Sequence, residues 1–183
     1  MKAKRLKAGD TIGIVAPASP SDPAKVERAI KHISDMGYSV KAGKSVYSSR
    51  GYLSGTDELR ASDINDMFAD DEVRAIFCLR GGYGSQRILD LVDFEGICNN
   101  PKIFMGYSDI TALLNAIYQK CGLITFHGPM GGDFAGGLEK RTKKAMKNIL
   151  ESTEPAGELP NPVTPEVVEE GKGSGKLAGG NLS

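Results

Sequence analysis

Along residues 11–150 the chain alternates between short apolar runs and longer stretches whose apolar positions recur every three or four residues. Residues 11–16 read Thr-Ile-Gly-Ile-Val-Ala and stop at Pro17, the texture of a strand buried on both faces of a parallel sheet. Asp22 stands where an N-cap belongs and Pro23 at the first helical position. An Asp oxygen can accept from the free N–H groups of a first turn, and Pro has no N–H to leave unpaired. Val26, Ile30, Ile33 and Met36 then keep helical spacing up to Gly37, a natural C-terminal stop. Residues 38–42 predict a second strand and residues 43–55 a polar loop. Thr56 predicts the cap of a second helix, with Asp57 and Glu58 in its first turn and Ile64, Met67 and Phe68 on its inner face. Residues 73–79, 102–105 and 123–126 predict three more strands. Further helices are expected from Ser85, over residues 109–120 and over residues 138–150.

Strands alternating with helices imply an α/β fold with a doubly wound parallel sheet, Rossmann-like or flavodoxin-like, over residues 1–150. No internal repeat is visible. After Glu151 the texture changes. Pro155, Pro160, Pro162 and Pro165 crowd together, and Gly171, Gly173, Gly175, Gly179 and Gly180 follow. Residues 151–183 therefore read as a linker rather than a core element. With little to pack on, they are expected to be extended or docked on another copy of the chain.

Composition narrows the function classes. Lys plus Arg and Asp plus Glu number 23 each in 183 residues, so the chain lacks the basic footprint of nucleic-acid or anionic-membrane binding. The basic start at residues 1–7 precedes an apolar run too short, and too broken by Gly13 and Pro17, for a signal-peptide core. No apolar run approaches the roughly 20 residues of a membrane span. Cys78, Cys98 and Cys121 have neither metal-ligand nor redox spacing. They are expected to be free thiols in a reducing cytoplasm, with Cys78 buried in its strand.

In parallel sheets, active sites lie at the carboxyl ends of the strands. Four segments reach that rim: Pro17-Ala-Ser19, Arg80-Gly-Gly-Tyr-Gly84, Gly106-Tyr-Ser-Asp109 and His127-Gly-Pro129. Pro17 and Ser19 are assigned no chemistry. In Gly106-Tyr-Ser-Asp109 a Ser sits between a strand and a helix, the layout of a nucleophile elbow. It departs from G-x-S-x-G, with Ile110 two positions after Ser108. The spacing fits equally a Ser108 or Asp109 that merely caps the following helix. The glycines of Arg80-Gly-Gly-Tyr-Gly84 would let backbone N–H groups face an anion or a developing oxyanion. They also fit a plain tight turn, and they lack a nucleotide-binding spacing. A Ser nucleophile needs a base, and the chain has two histidines. His32 falls on the polar side of its helix and reads as a solvated surface residue. His127 shares the rim with Ser108 but has ordinary structural uses.

These motifs together resemble the LD-carboxypeptidase family, the muramoyltetrapeptide carboxypeptidases, over essentially the whole chain. The resemblance rests on Ile14-Val-Ala-Pro-Ala-Ser19, Arg80-Gly-Gly-Tyr-Gly84, Gly106-Tyr-Ser-Asp-Ile-Thr111, His127-Gly-Pro129 and Gly179-Gly-Asn-Leu-Ser183, in that order. It implies an amino-terminal domain of class I glutamine amidotransferase-like fold, a linker over residues 151–183 that leads into a missing carboxy-terminal domain, and a Ser-Glu-His serine peptidase. Ser108 would be the nucleophile, and the backbone N–H groups of Gly82 and Asp109 the oxyanion hole. The family's Glu and His would lie beyond Ser183, so His127 is not expected to be the base and the 183-residue chain alone is expected to be inactive. The implied reaction is removal of the terminal D-alanine from a cytoplasmic murein tetrapeptide in cell-wall recycling. Microcin C immunity hydrolases, which cleave an acyl-sulfamate or acyl-phosphoramidate, form a related branch. No cofactor or metal is implied. The partners implied are a small peptide and, at most, a second copy of the chain. A non-catalytic α/β ligand-binding module stays open, as does an amidotransferase-like enzyme, which would want Cys where Ser108 stands.

Overall fold

The apolar runs become the strands of one sheet, and those over residues 11–15, 73–78 and 103–106 are largely buried between helices on its two faces. A computed structural model describes residues 1–157, 163–164, 166–176 and 178–180. Strands β1 (Thr11–Val15), β2 (Ser39–Ala42), β3 (Val73–Cys78), β4 (Ile103–Gly106) and β5 (Phe126–His127) pair in parallel. Their order is β2-β1-β3-β4-β5, the doubly wound arrangement the alternation predicts. Side chains of β3 alternate between two cores. Val73, Ile76 and Cys78 meet helices α2 (Asp57–Ala69), α3 (Phe94–Asn99) and α4 (Thr111–Cys121). Ala75, Phe77 and Leu79 meet α1 (Pro23–Ser34), α5 (Gly131–Phe134) and α6 (Lys140–Leu150). From Ala75 onward the period of two places successive side chains in opposite layers; Val73 is out of that phase, where the register with β1 shifts between Thr11 and Ile12.

Local chemistry sets the starts of α1 and α2 as expected. The Asp22 side chain accepts from the Lys25 N–H and that of Thr56 from the Leu59 N–H. α1 stops earlier than expected, at Ser34 with Asp35 as its C-cap, and the chain then turns through Gly37, whose φ of +95° suits a residue without Cβ. The structure also departs from the sequence reading. Two short helices, α3 and α5, were not anticipated; neither is long enough to show a periodicity. Residues 85–91 and 108–110 are 3₁₀ rather than α-helical. The polar loop at 43–55 is partly internal, with Ser45, Val46 and Ser54 buried. The buried Asp63 of α2 holds this loop by accepting from the Lys44 and Ser45 N–H groups.

Two expectations are corrected. Cys98 and Cys121 are joined in a disulfide and only Cys78 is free. The pair spans 23 residues with Cα atoms 5.0 Å apart; only the packing of α3 on α4 brings the two together, so linear spacing carries no signal of it. Burial pushes the Cys78 thiol well up. His32 is not a solvated surface group either. It is half-buried, and its Nδ1 lies 2.6 Å from the Phe134 carbonyl oxygen. A carbonyl can only accept, so Nδ1 is the protonated nitrogen of this contact.

Beyond Leu150 the described residues hold neither helix nor strand. Pro160, Pro162 and Pro165, and residues 181–183 of the last motif, lie outside the described residues. Residues 176 and 178–180 return to this same chain rather than hanging free. They line a hollow of about 810 Å³ with Leu114, Tyr118 and His127, and a Cβ on Gly180 would come 2.1 Å from Thr111 Cγ2. Among the described residues, no helix is long and apolar enough to cross a membrane.

The rim at the carboxyl ends of β1 and β3 is held by a buried cation that periodicity does not reveal. Arg60 of α2 is 0% exposed. Its Nη1 donates to the Pro17 carbonyl and, at 2.9 Å, to the Gly84 carbonyl, and its Nη2 donates to Asp57 Oδ1. Asp57 Oδ2 also takes Arg87 Nη2 at 2.8 Å. Pairing with Arg87, and then with Arg60, holds the Asp57 carboxyl below its ordinary value. Arg60→Met leaves both rim carbonyls and Asp57 without this donor. It is expected to cost about 3 kcal/mol, the scale of removing one partner of a buried ion pair, read as a lower urea midpoint at unchanged slope.

Candidate active site

The functional rim forms where the windings from β1 and β3 diverge, the switch point at which ligands bind in such sheets. The loops after these strands touch there: the Ser19 N–H donates to the Gly81 carbonyl at 3.3 Å. The turn after β4 rises beside them. Ser108 has φ +59° and is the one non-glycine residue with positive φ among the described residues. For a residue with a Cβ this backbone is strained, and such strain gathers at functional sites. The close approach needs glycine on both sides. A Cβ on Gly106 would come 2.7 Å from Ile110 Cγ2, and one on Gly81 would come 3.0 Å from Ser108 Cβ and 3.2 Å from its Oγ.

The turn is not a helix cap. The 3₁₀ segment 108–110 is preceded by Tyr107, α4 by Ile110, and neither start has a side-chain cap. Asp109 is used elsewhere. Its Oδ2 accepts from the Ser85 N–H at 2.9 Å, and its carbonyl accepts from the Ser85 hydroxyl at 2.5 Å. These two bonds tie the elbow to the segment that follows the glycine loop. Gly82 has φ +114° and lies against Ser19. The N–H groups of Gly82 and Asp109 have no acceptor among the described residues, which leaves both free to donate to a ligand. Gly81, which the sequence reading treated only as part of the loop, is the residue in contact with Ser108. A pair of adjacent glycines carries no mark of which one the elbow meets.

Ser108 opens into a cleft of about 390 Å³ that Gly81, Gly82, Arg80, Lys25, Tyr107 and Asp133 help to line. The far wall comes from α5, where the Gly132 N–H donates to the Leu79 carbonyl at 2.7 Å. Met130 N–H donates to Asp133 Oδ2 at 2.8 Å, and the Tyr107 hydroxyl reaches Asp133 Oδ1 at 3.4 Å. Burial, reinforced by Asp133, pushes the Tyr107 phenol up. Lys25 and Asp133 escaped the sequence reading because they come from separate elements and match no motif. His127 does not line this cleft. It is exposed, its ring lies 6.0 Å from that of Tyr107, and it borders the hollow toward residues 176–180. Among the described residues, no cluster of three or more His, Cys, Asp or Glu side chains could hold a metal ion.

Comparison with known proteins agrees with the fold. Residues 12–128 match the LD-carboxypeptidase N-terminal domain. The chain is 46% identical, over 100% of its length, to a probable murein peptide carboxypeptidase of Bacillus subtilis, and covers 57% of that relative. In structure it resembles a muramoyltetrapeptide carboxypeptidase of Oxalobacter formigenes, with a TM-score of 0.71 and 29% identity over 78% of this chain and 48% of the other. It also resembles the microcin self-immunity protein MccF in complex with glutamyl sulfamoyl guanosine. There the TM-score is 0.79 and the identity 32%, over 84% of this chain and 48% of the other.

The strain at Ser108 has a measurable consequence. Ser108→Gly relieves the left-handed penalty that Ser108→Ala keeps. Left-handed backbone costs a residue with a Cβ about 1–2 kcal/mol, and the extra freedom of glycine in the unfolded chain returns part of that. Ser108→Gly is therefore expected to be more stable than Ser108→Ala by about 1 kcal/mol in urea titration. An alanine variant of equal or greater stability would show that the turn is not strained.

Proposed function

The chain belongs to the LD-carboxypeptidase family, and on that premise we propose that it bears the nucleophile of a serine hydrolase that removes the terminal D-alanine from a murein tetrapeptide in the cytoplasm. The observation that carries this reading is Ser108 at positive φ on a strand-to-helix turn, pressed against Gly81 at the carboxyl rim. In the proposed reaction the Ser108 Oγ attacks the carbonyl carbon of the bond to D-alanine while a base removes its proton. The carbonyl oxygen takes up negative charge and accepts from the free N–H groups of Gly82 and Asp109. The proton then passes to the leaving amine, and water releases the acyl group from Ser108.

The base and its orienting carboxylate, a His and a Glu by the family resemblance, come in this reading from outside residues 1–183. Two facts support that. The chain spans 57% of the Bacillus subtilis relative it matches. Both of its histidines are placed away from the Ser108 cleft, His32 against the Phe134 carbonyl and His127 beside the Tyr107 ring. The likeness to MccF with a sulfamoyl nucleoside bound favours a second reading, cleavage of an acyl-sulfamate or acyl-phosphoramidate by the same elbow. The acyl transfer to Ser108 is common to both; only the leaving group differs.

In a chain of the relatives' full length, Ser108→Ala is expected to lower turnover of the tetrapeptide by at least about 10³-fold, the scale on which triad members act. D-alanine release measures it, and near-parental turnover in the variant rejects the nucleophile assignment. Residues 1–183 by themselves are expected to release no D-alanine at equal concentration. Release at a rate close to that of the longer chain would put the base inside these residues, and loss of that activity in His127→Gln would identify it.

A further inference from the structure

The cleft beside Ser108 holds more positive charge than its own carboxylate can neutralise. Its charged lining residues are Lys25, Arg80 and Asp133. Asp133 is spent on its neighbours, with Oδ2 on the Met130 N–H and Oδ1 facing the Tyr107 hydroxyl. Among the described residues it forms no ion pair with either cation. Arg80 Nη1 donates to the Pro20 carbonyl at 3.1 Å. That bond fixes the guanidinium against the loop leading into α1, and its remaining N–H groups have no acceptor among the described residues. Lys25 sits in the first turn of α1, its backbone N–H on Asp22 Oδ1 at 3.0 Å, and its ammonium has no acceptor among the described residues. Arg80 directly precedes Gly81, the residue in contact with Ser108. One cation is thus placed by sequence and the other by fold in the cleft that the candidate nucleophile lines.

A peptidase that removes single terminal residues must read a carboxylate close to the bond it breaks. The carboxylate carbon of the departing residue is joined to the scissile carbonyl through one nitrogen and one Cα, within about 4 Å. A guanidinium matches a carboxylate with paired N–H donors, and an ammonium adds a point charge. We propose that Arg80 and Lys25 form the subsite for the free carboxylate of the departing D-residue, and that Arg80 makes a free C-terminus a requirement for binding. This assignment rests on the reading of Ser108 as the nucleophile of a carboxypeptidase. It gives a role to two cations that line this cleft without an ion-pair partner among the described residues.

The test separates the two ideas. A full-length chain carrying Ser108→Ala is titrated by calorimetry with a murein tetrapeptide ending in D-alanine and with the same peptide as its C-terminal carboxamide. The acid is expected to bind at least about tenfold more tightly, the scale of charge-assisted hydrogen bonds. Adding Arg80→Gln is expected to bring acid and amide to the same affinity, Arg80→Lys to keep part of the preference, and Lys25→Gln to reduce it. Arg80 is exposed, so these variants should keep the parental thermal midpoint, which the same preparations check. Equal binding of acid and amide by the parent, a preference that survives Arg80→Gln, or failure to bind either peptide overturns the proposal. The nucleophile reading is judged separately, by D-alanine release from the parent and from Ser108→Ala. Because the acid-to-amide ratio is a binding quantity, it can fail while that reading stands.

Discussion

The site depends on how closely two backbone segments can approach. The glycine loop after β3 lies against the turn after β4 because Gly81 brings no side chain to a position 3.0 Å from Ser108 Cβ. Gly106 does the same on the inner side of the turn, where Ile110 and Cys78 would block a larger residue. With both gaps closed by backbone, Ser108 is held at φ +59°. The surrounding contacts over-determine a conformation that a Ser in an open loop would abandon.

Polar atoms inside the fold keep those two segments in register. Arg60, buried in α2, spans the Pro17 and Gly84 carbonyls, one beyond β1 and one at the end of the glycine loop. Ser85 grips Asp109 by both its N–H and its hydroxyl, which ties the segment after the glycine loop to the elbow. The Gly132 N–H on the Leu79 carbonyl closes the opposite wall. Rigid positioning of this kind lets backbone donors stabilise developing charge without reorganising during a reaction. The free N–H groups of Gly82 and Asp109 have the freedom that role requires.

The arrangement also accounts for what a single domain of this shape leaves undone. A hydroxyl is a weak nucleophile until a base removes its proton, and neither histidine lines the Ser108 cleft. The fold supplies the candidate nucleophile, the candidate oxyanion donors and two cations at one edge of a sheet. In the proposed reaction the proton-transfer groups arrive from another part of a longer protein. A division of this kind is common at the crevices of parallel sheets, where ligands sit outside the strand ends and a covering element completes the site.

Much of this was legible in the residues themselves. Alternating apolar runs and helical periods determined the doubly wound α/β class, and Asp22 and Thr56 marked helix starts through local hydrogen bonding. Strand-to-helix turns rich in glycine singled out Ser108 and the Arg80 loop, since such turns must lie at the carboxyl rim of a parallel sheet. Local signals could not say which glycine meets the elbow, that Arg60 and Asp63 face inward, that His32 bonds a carbonyl of α5, or that Cys98 and Cys121 pair. Each of these joins residues 18 or more positions apart in the chain. Periodicity reports only which face of an element is apolar, whereas a buried cation, a disulfide or a shared cleft depends on which elements become neighbours. That is decided by the packing of helices on the two faces of the sheet, a property of the tertiary structure alone.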